Sequence, residues 1–378
     1  MGLVFNRDIL LSALEKICSV ASGKSSFAIL SSFLIEVKDG VCTFTATDLT
    51  DIVQIVVESQ VDNNCAFLLK AKETLEIIKG LPKGEITFEL TESAIKISSG
   101  KFKANMNIAD RSEFPNVVIS DVKAGLKFKS SELKNALSQV SQFVSTDNSR
   151  PEFCGVHLDY KFENKEAIVT LVSTDGHRLA KAELSAEDLN NLDANSDGYI
   201  LSTKAVSMIS KFFSEEESVL FSLEKKKSDG NKAIFKGEKI TVVSSLIAGR
   251  FPDFSAVIPQ TFKSFVVDKN LLIASLKRSS LFNPKQPLVR IKLSENNVNI
   301  CSSGQMGSMS DDVECKYIDE EIIIGLNAKY LQESLSIVDD LFAVVGVVDP
   351  DSPIVVMSET DFDANNFGTL SVIMPMMI

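Results

Sequence analysis

Histidine is scarce, with only His157 and His177 in 378 residues, and the six cysteines (Cys18, Cys42, Cys65, Cys154, Cys301, Cys315) form no CxxC pair and share no metal-ligand spacing with either histidine. A zinc ribbon, a histidine-based metal centre and a dithiol redox motif each need clustered ligands or paired thiols, so none of them is supported. Most of the cysteines stand beside apolar or β-branched residues, the usual setting of reduced thiols in a cytosolic protein. Phosphate-cradling strings of the GxGxxG or GK[ST] kind are missing, and Ser303-Gly304-Gln305-Met306-Gly307 reads as a turn. No apolar run approaches the roughly 18 residues of a membrane helix, and the first eight residues lack the basic region and apolar stretch of a signal peptide. A cytoplasmic protein without metal or cofactor is expected.

What is present is ordinary globular material, 44% hydrophobic and 24% charged. Domains mostly run about 100–150 residues, so the length suggests two or three, with three the better first expectation. The chain opens with a short strand, Asn6 as helix cap, and Ile9, Leu10, Ala13, Leu14 and Ile17 at helical spacing. Strand-like runs follow at 32–37 and 41–46, joined by Lys38-Asp39-Gly40, and a second helix is expected over 71–81, stopped by Pro82. The order then restarts. Ser130 reads as a cap before Leu133, Ala136, Leu137 and Val140, and a later helix carries Val206, Ile209 and Phe213. It restarts again at Asp268, with Leu272 and Leu276 on the helix face.

Aligning the second helices puts Lys72, Lys204 and Lys329 in register, 132 and 125 residues apart; Pro115, Pro252 and Pro375 repeat at 137 and 123. Repeats of this length are whole domains. The expected boundaries are 1–121, 122–253 and 254–378, each domain an α+β unit of two helices on antiparallel strands. The net charge of −12 argues against nucleic acid only if it is evenly spread. Over the expected helices (6–19, 70–83, 128–143, 202–213, 267–281, 327–338) the charge totals +7, leaving −19 on the rest. That partition places a basic helical surface on an acidic body.

Ser173-Thr174-Asp175-Gly176-His177-Arg178-Leu179-Ala180 is the densest cluster of polar and turn-forming residues, placed just past the β-branched run 167–172. A hydrolase using His177 and Asp175, with Ser173 as nucleophile, is the alternative to a binding role. Residues two apart on a strand lie about 7 Å apart, too far for a direct relay, and no GxSxG elbow flanks them. Three stretches then remain without a catalytic explanation: 174–179, 249–259 and the Met-rich end 372–378.

Arg150-Pro151-Glu152-Phe153-Cys154-Gly155-Val156, Thr174 to Ala180, Gly249-Arg250-Phe251-Pro252-Asp253-Phe254, Leu326-Asn327-Ala328-Lys329-Tyr330-Leu331 and Met374-Pro375-Met376 resemble the bacterial sliding clamp family, the beta subunit of DNA polymerase III, along the full chain. The resemblance implies a DNA clamp fold of three similar domains, forming half of a closed ring as a head-to-tail homodimer, with helices facing a central hole. It also implies a non-catalytic processivity role in DNA replication: encircling double-stranded DNA without reading sequence and tethering the DNA polymerase III catalytic subunit, the clamp loader and other proteins through short Leu/Phe motifs. The family's partner pocket, carried over by position, comprises Phe153, Thr174, Gly176, His177, Arg178, Leu179, Pro252, Val257, Val372 and Met374, with Asn327, Tyr330, Pro375 and Met376 forming a second part. Ala256 and Met377 stand where members often carry arginine, and Gln286 stands at an often aromatic position. Lys24 and Arg150 match loop positions that touch duplex in relatives. Lys72, Lys134, Lys204, Lys277 and Arg278 are DNA-facing candidates from their helices, and Ile77, Leu81, Met106 and Leu281 are dimer-contact candidates.

Overall fold

A computed structural model of the chain describes residues 2–21, 27–61, 63–120, 122, 124–163, 166–189, 198–226, 230–284, 287–364 and 368–378. In each third of the sequence a strand runs straight into a helix twice. Helices α1 (Arg7–Val20), α3 (Ser130–Ser141) and α5 (Lys269–Phe282) follow the strands Gly2–Asn6, Gly125–Lys129 and Lys263–Asp268. Helices α2 (Ala71–Lys79), α4 (Thr203–Phe212) and α6 (Ala328–Ser336) follow Cys65–Lys70, Tyr199–Ser202 and Ile322–Asn327. Lys72, Lys204 and Lys329 are each the second residue of their helix, so the lysine register read from the sequence is a structural repeat. A seventh helix, α7 (Glu359–Asp363), is an addition of the last third.

At three junctions the last strand residue keeps extended dihedrals while its side chain captures the first free amides of the helix, whereas Lys70 before α2 makes no such bond. Asn6 Oδ1 accepts from the amides of Asp8 (2.9 Å) and Ile9 (3.4 Å), Asp268 from Asn270 (2.8 Å) and Leu271 (3.2 Å), and Asn327 from Lys329 (2.9 Å) and Tyr330 (3.3 Å). Ser130 departs from the expected cap. It is the first helical residue, its hydroxyl is buried without a partner, and its amide donates to the Glu217 carbonyl (3.0 Å). The strand pairing of Lys129 with Ser218 reaches one residue into the helix and takes that amide.

Two compact units result. In the unit of residues 1–131, 187–192 and 207–246, an antiparallel sheet runs in the order Cys65–Lys70, Ser32–Lys38, Val41–Thr47, Asp51–Val57, Ile240–Ser245, Gly230–Lys236, Ser218–Lys226, Gly125–Lys129. The first and second repeats thus share one ladder, with Val53 opposite Val242. A second, five-stranded sheet ends on the edge strand Phe102–Asn107. Helix α1 packs on α2 and buries Leu10, Ala13, Leu14, Ile17 and Val20, whereas Ile9 is 40% exposed instead of joining that face.

In the unit of residues 132–186, 193–206 and 247–378, Tyr199–Ser202, Gly155–Glu163 and Glu166–Thr174 pair in that order. The start of the twelve-residue strand Arg178–Leu189, whose residues 178–186 lie in this unit, pairs with Leu370–Ile373, which continues into Ile354–Ser358, Phe342–Val347 and Lys263–Asp268. The second and third repeats are therefore also joined by a ladder, with Leu179 opposite Val372. The Gln305-Met306 turn closes a hairpin in which Gly304 faces Gly307.

Gly155 marks a close approach of backbones: a Cβ there would lie 2.4 Å from the Leu201 carbonyl on the neighbouring strand. Gly155→Ala should force the ladder apart and destabilise this unit by about 1–3 kcal/mol. A denaturation midpoint unchanged from the parent chain would contradict this.

Candidate functional site: an apolar groove beside Arg178

The strand Glu166–Thr174 ends in a turn built from its own side chains. Thr174 Oγ1 donates to the Arg178 carbonyl (2.6 Å) and accepts from the Gly176 amide (3.1 Å). Asp175 Oδ1 accepts from the amides of His177 (3.0 Å) and Arg178 (3.1 Å). Gly176 has φ +87°, a left-handed conformation that glycine adopts without strain. The turn in turn anchors the chain end: the Met374 amide donates to the His177 carbonyl (2.9 Å), just beyond the ladder with Leu370–Ile373.

Against this corner lies a groove of about 160 Å³. Phe153 lines it from the 3-10 turn Pro151–Phe153, Thr174 and Gly176 from the corner, and Arg178 and Leu179 from the long strand. Pro252 and Val257 close another side, and Val372 and Met374 supply the C-terminal side. Pockets for drug-sized ligands span about 300–1,000 Å³, so this one suits one or two apolar side chains instead. Sequence reasoning missed Asp253 and Phe254, which also line it. Both stood in the quoted Gly249–Phe254 string, so the signal was present.

The other expected pocket residues stand outside this cavity. The His177 ring stacks towards Tyr330, with centroids 6.5 Å apart. Asn327 spends its side chain capping α6. Pro375 and Met376 continue the tail, with the Met376 amide donating to the Gly325 carbonyl (2.8 Å). Only glycine permits that path, since a Cβ on Gly325 would lie 2.3 Å from the Met376 carbonyl oxygen. Ala256 and Met377 are exposed, the latter by 97%, and Gln286 lies outside the described residues.

Arg178 is the one charged side chain in the groove wall that is deeply buried, at 8% exposure. Its guanidinium carbon lies 4.7 Å from the Phe143 ring centre and 4.5 Å from that of Tyr330. Nε donates to Asp175 (3.0 Å), Nη1 to Glu333, and Nη2 to the Gln142 carbonyl (3.1 Å). A buried cation is tolerated only when compensated in this way. Behind the groove, His157 is 6% exposed and stacks on Phe251 at 4.7 Å, with Phe254 at 6.1 Å. Burial pushes its pKa below the ordinary histidine value, with Asp159 partly opposing.

This geometry gives the hydrolase alternative no support. Ser173 is fully buried and its hydroxyl donates to the Val140 carbonyl, while both Asp175 oxygens are engaged by the turn and by Arg178. Among the described residues no group of three or more His, Cys, Asp or Glu could hold a metal ion, and no helix is long and apolar enough to cross a membrane.

The DNA-facing candidates are dispersed. Lys24 lies outside the described residues. Lys72 and Lys277 are exposed, Lys134 and Lys204 half-buried. Arg150 is exposed over the Phe153 ring at 5.7 Å, and Arg278 is paired with Asp311 through Nε (3.1 Å). Within the observed bounds α4 carries +2, α5 +3 and the other four long helices zero, so the six total +5 and leave −17 elsewhere. The helices are basic as expected, but the excess sits on two of them. Of the dimer-contact candidates, Leu81 is already buried in its own unit, Ile77 and Met106 are half-buried, and Leu281 is 64% exposed.

Models of the DNA polymerase III beta subunit match the chain in succession, the N-terminal domain over residues 1–118, the central domain over 127–253 and the C-terminal domain over 255–377. The chain belongs to this family. It is similar to the beta sliding clamps of Halalkalibacterium halodurans (26% identical, 96% of this chain and 97% of the relative) and Chlamydia pneumoniae (28%, 100% and 99%). Among solved structures it is similar to the griselimycin-bound DnaN sliding clamp of Bartonella birtlesii (25% identical, TM-score 0.89, 100% of both chains). The Bacillus subtilis DNA polymerase sliding clamp has the same fold (22%, TM-score 0.88, 100% of this chain and 99% of that one). The function is that of the family, a non-catalytic sliding clamp acting as a processivity factor.

The depressed pKa of His157 has a definite sign. The unfolded chain binds the proton first, so stability is full above about pH 6.5 and is lost as pH falls below it. Carboxylates such as Asp147 and Asp253, held low by serine hydrogen bonds, act only in a more acidic window. His157→Phe should therefore flatten the fall in melting temperature between about pH 7 and 5, and an unaltered slope would contradict the assignment.

Proposed function

We propose that two copies of this chain, joined head to tail, close a ring around double-stranded DNA, and that the groove beside Arg178 receives short peptides with Leu and Phe anchors. The peptides belong to the DNA polymerase III catalytic subunit, the clamp loader and other replication or repair proteins, and the work is done in the cytoplasm. Domains spanning 1–121, 122–253 and 254–378 repeat around the ring. Lys24, Lys72, Lys134, Arg150, Lys204, Lys277 and Arg278 face the duplex, and Ile77, Leu81, Met106 and Leu281 form the contact between copies, with the exposed Leu281 contributing most. The observation that carries the peptide reading is the groove itself: a small apolar cavity with one fixed polar corner, the usual economy of motif recognition.

A basic inner surface suits this work, because phosphate contacts hold a duplex without reading its bases. Concentration of the charge on α4 and α5 makes those helices the strongest electrostatic contributors. Met377 and Ala256, both exposed, replace often cationic rim positions, so partner choice rests more on apolar anchors.

A labelled peptide with Leu-Phe anchors should bind the chain in a fluorescence-anisotropy titration, and Met374→Ala should weaken it by about tenfold through loss of one groove wall. Equal affinities for the two chains would overturn the assignment of Met374.

A further inference from the structure

We infer that Glu333 is a positioning residue for the peptide groove, acting through Arg178; this rests on the groove being the peptide site. Of the three groups that take Arg178's hydrogen bonds, Asp175 belongs to the same turn and moves with it. Glu333 lies 155 residues further on, in α6, and the Gln142 carbonyl lies 36 residues earlier, just past α3. These two fix the guanidinium against elements outside its own strand. The Phe143 and Tyr330 rings at 4.7 and 4.5 Å leave it little freedom to turn.

Arg178 cannot shift alone. Its amide and carbonyl are held by Asp175 and Thr174, its neighbour Leu179 pairs with Val372, and the preceding carbonyl receives the Met374 amide. Movement at Arg178 is therefore transmitted to Leu179, Val372 and Met374, the apolar sides of the cavity. The platform behind it is itself cross-braced. Gln139 Nε2 donates to Asp339 (3.2 Å) and Gln142 Nε2 to Ser336 (3.5 Å), tying α3 to the end of α6. Removing the Glu333 charge leaves a buried cation with one carboxylate and one carbonyl, and the cheapest relief is for the side chain to turn towards water and open the groove. Lys329 also approaches Glu333, at 3.9 Å, but it is 70% exposed and contributes little to the latch.

The test is anisotropy titration of the same labelled Leu-Phe peptide against the full chain and its variants, each checked by thermal melt. Glu333→Gln should weaken binding by about tenfold, Glu333→Asp should recover part of the loss, and Lys329→Ala should bind like the parent. In an Arg178→Lys background Glu333→Gln should add little, since the two act as one unit. Parent-like affinity for Glu333→Gln, or its full effect persisting in the Arg178→Lys chain, would overturn the inference. If Glu333→Gln melts early, Glu333→Asp decides: affinity no better than that of the Gln variant overturns it. Failure of the parent chain to bind overturns the groove reading first, and this inference with it.

Discussion

The groove depends on one buried charge. Arg178 places a permanent cation at 8% exposure, an arrangement that survives only because Asp175, Glu333, the Gln142 carbonyl and two aromatic faces compensate it together. Those groups come from the corner turn, α6 and the end of α3, so satisfying one side chain fixes three elements. The apolar walls are then set by backbone pairing, Leu179 against Val372 and His177 against Met374. A groove whose walls are tied in this way would lower the entropy cost of the peptide docking proposed for it.

The same economy governs the scaffold. A strand continuing directly into a helix is used six times, and a lysine in second position recurs at the second such junction of each third. Ladders cross from the first repeat to the second through Val53 and Val242, and from the second to the third through Leu179 and Val372. The groove lies at the second of these junctions, where the strand Arg178–Leu189 meets Leu370–Ile373.

Much of this was legible. Asn6 and Asp268 were readable as caps, and the triple lysine register showed the repeat, because both rest on local chemistry at fixed spacing. Ser130 was misread because the ladder through Lys129 runs on to it and its own amide pairs with the Glu217 carbonyl, drawing it into the helix, a tertiary fact invisible to local pattern. The strand Arg178–Leu189 was hidden by the charges at Lys181, Glu183, Glu187 and Asp188, which blur the apolar alternation a strand normally shows. The groove walls were carried by family strings, as were Asp175 and Tyr330 beside Arg178, but its partners Phe143 and Glu333 were not: they lie 35 and 155 residues away, and no spacing rule joins them. The charge partition was right in sign but too evenly drawn, since the expected helix bounds borrowed lysines that belong to strand ends and loops.

We propose that the chain stays on DNA by encirclement, since a net charge of −12 leaves little bulk attraction for phosphates. The direct measurement is retention on DNA after loading, comparing a nicked circle with the same molecule linearised. Encirclement predicts stable association with the circle and rapid loss from the free ends of the linear form; equal retention on the two would contradict it.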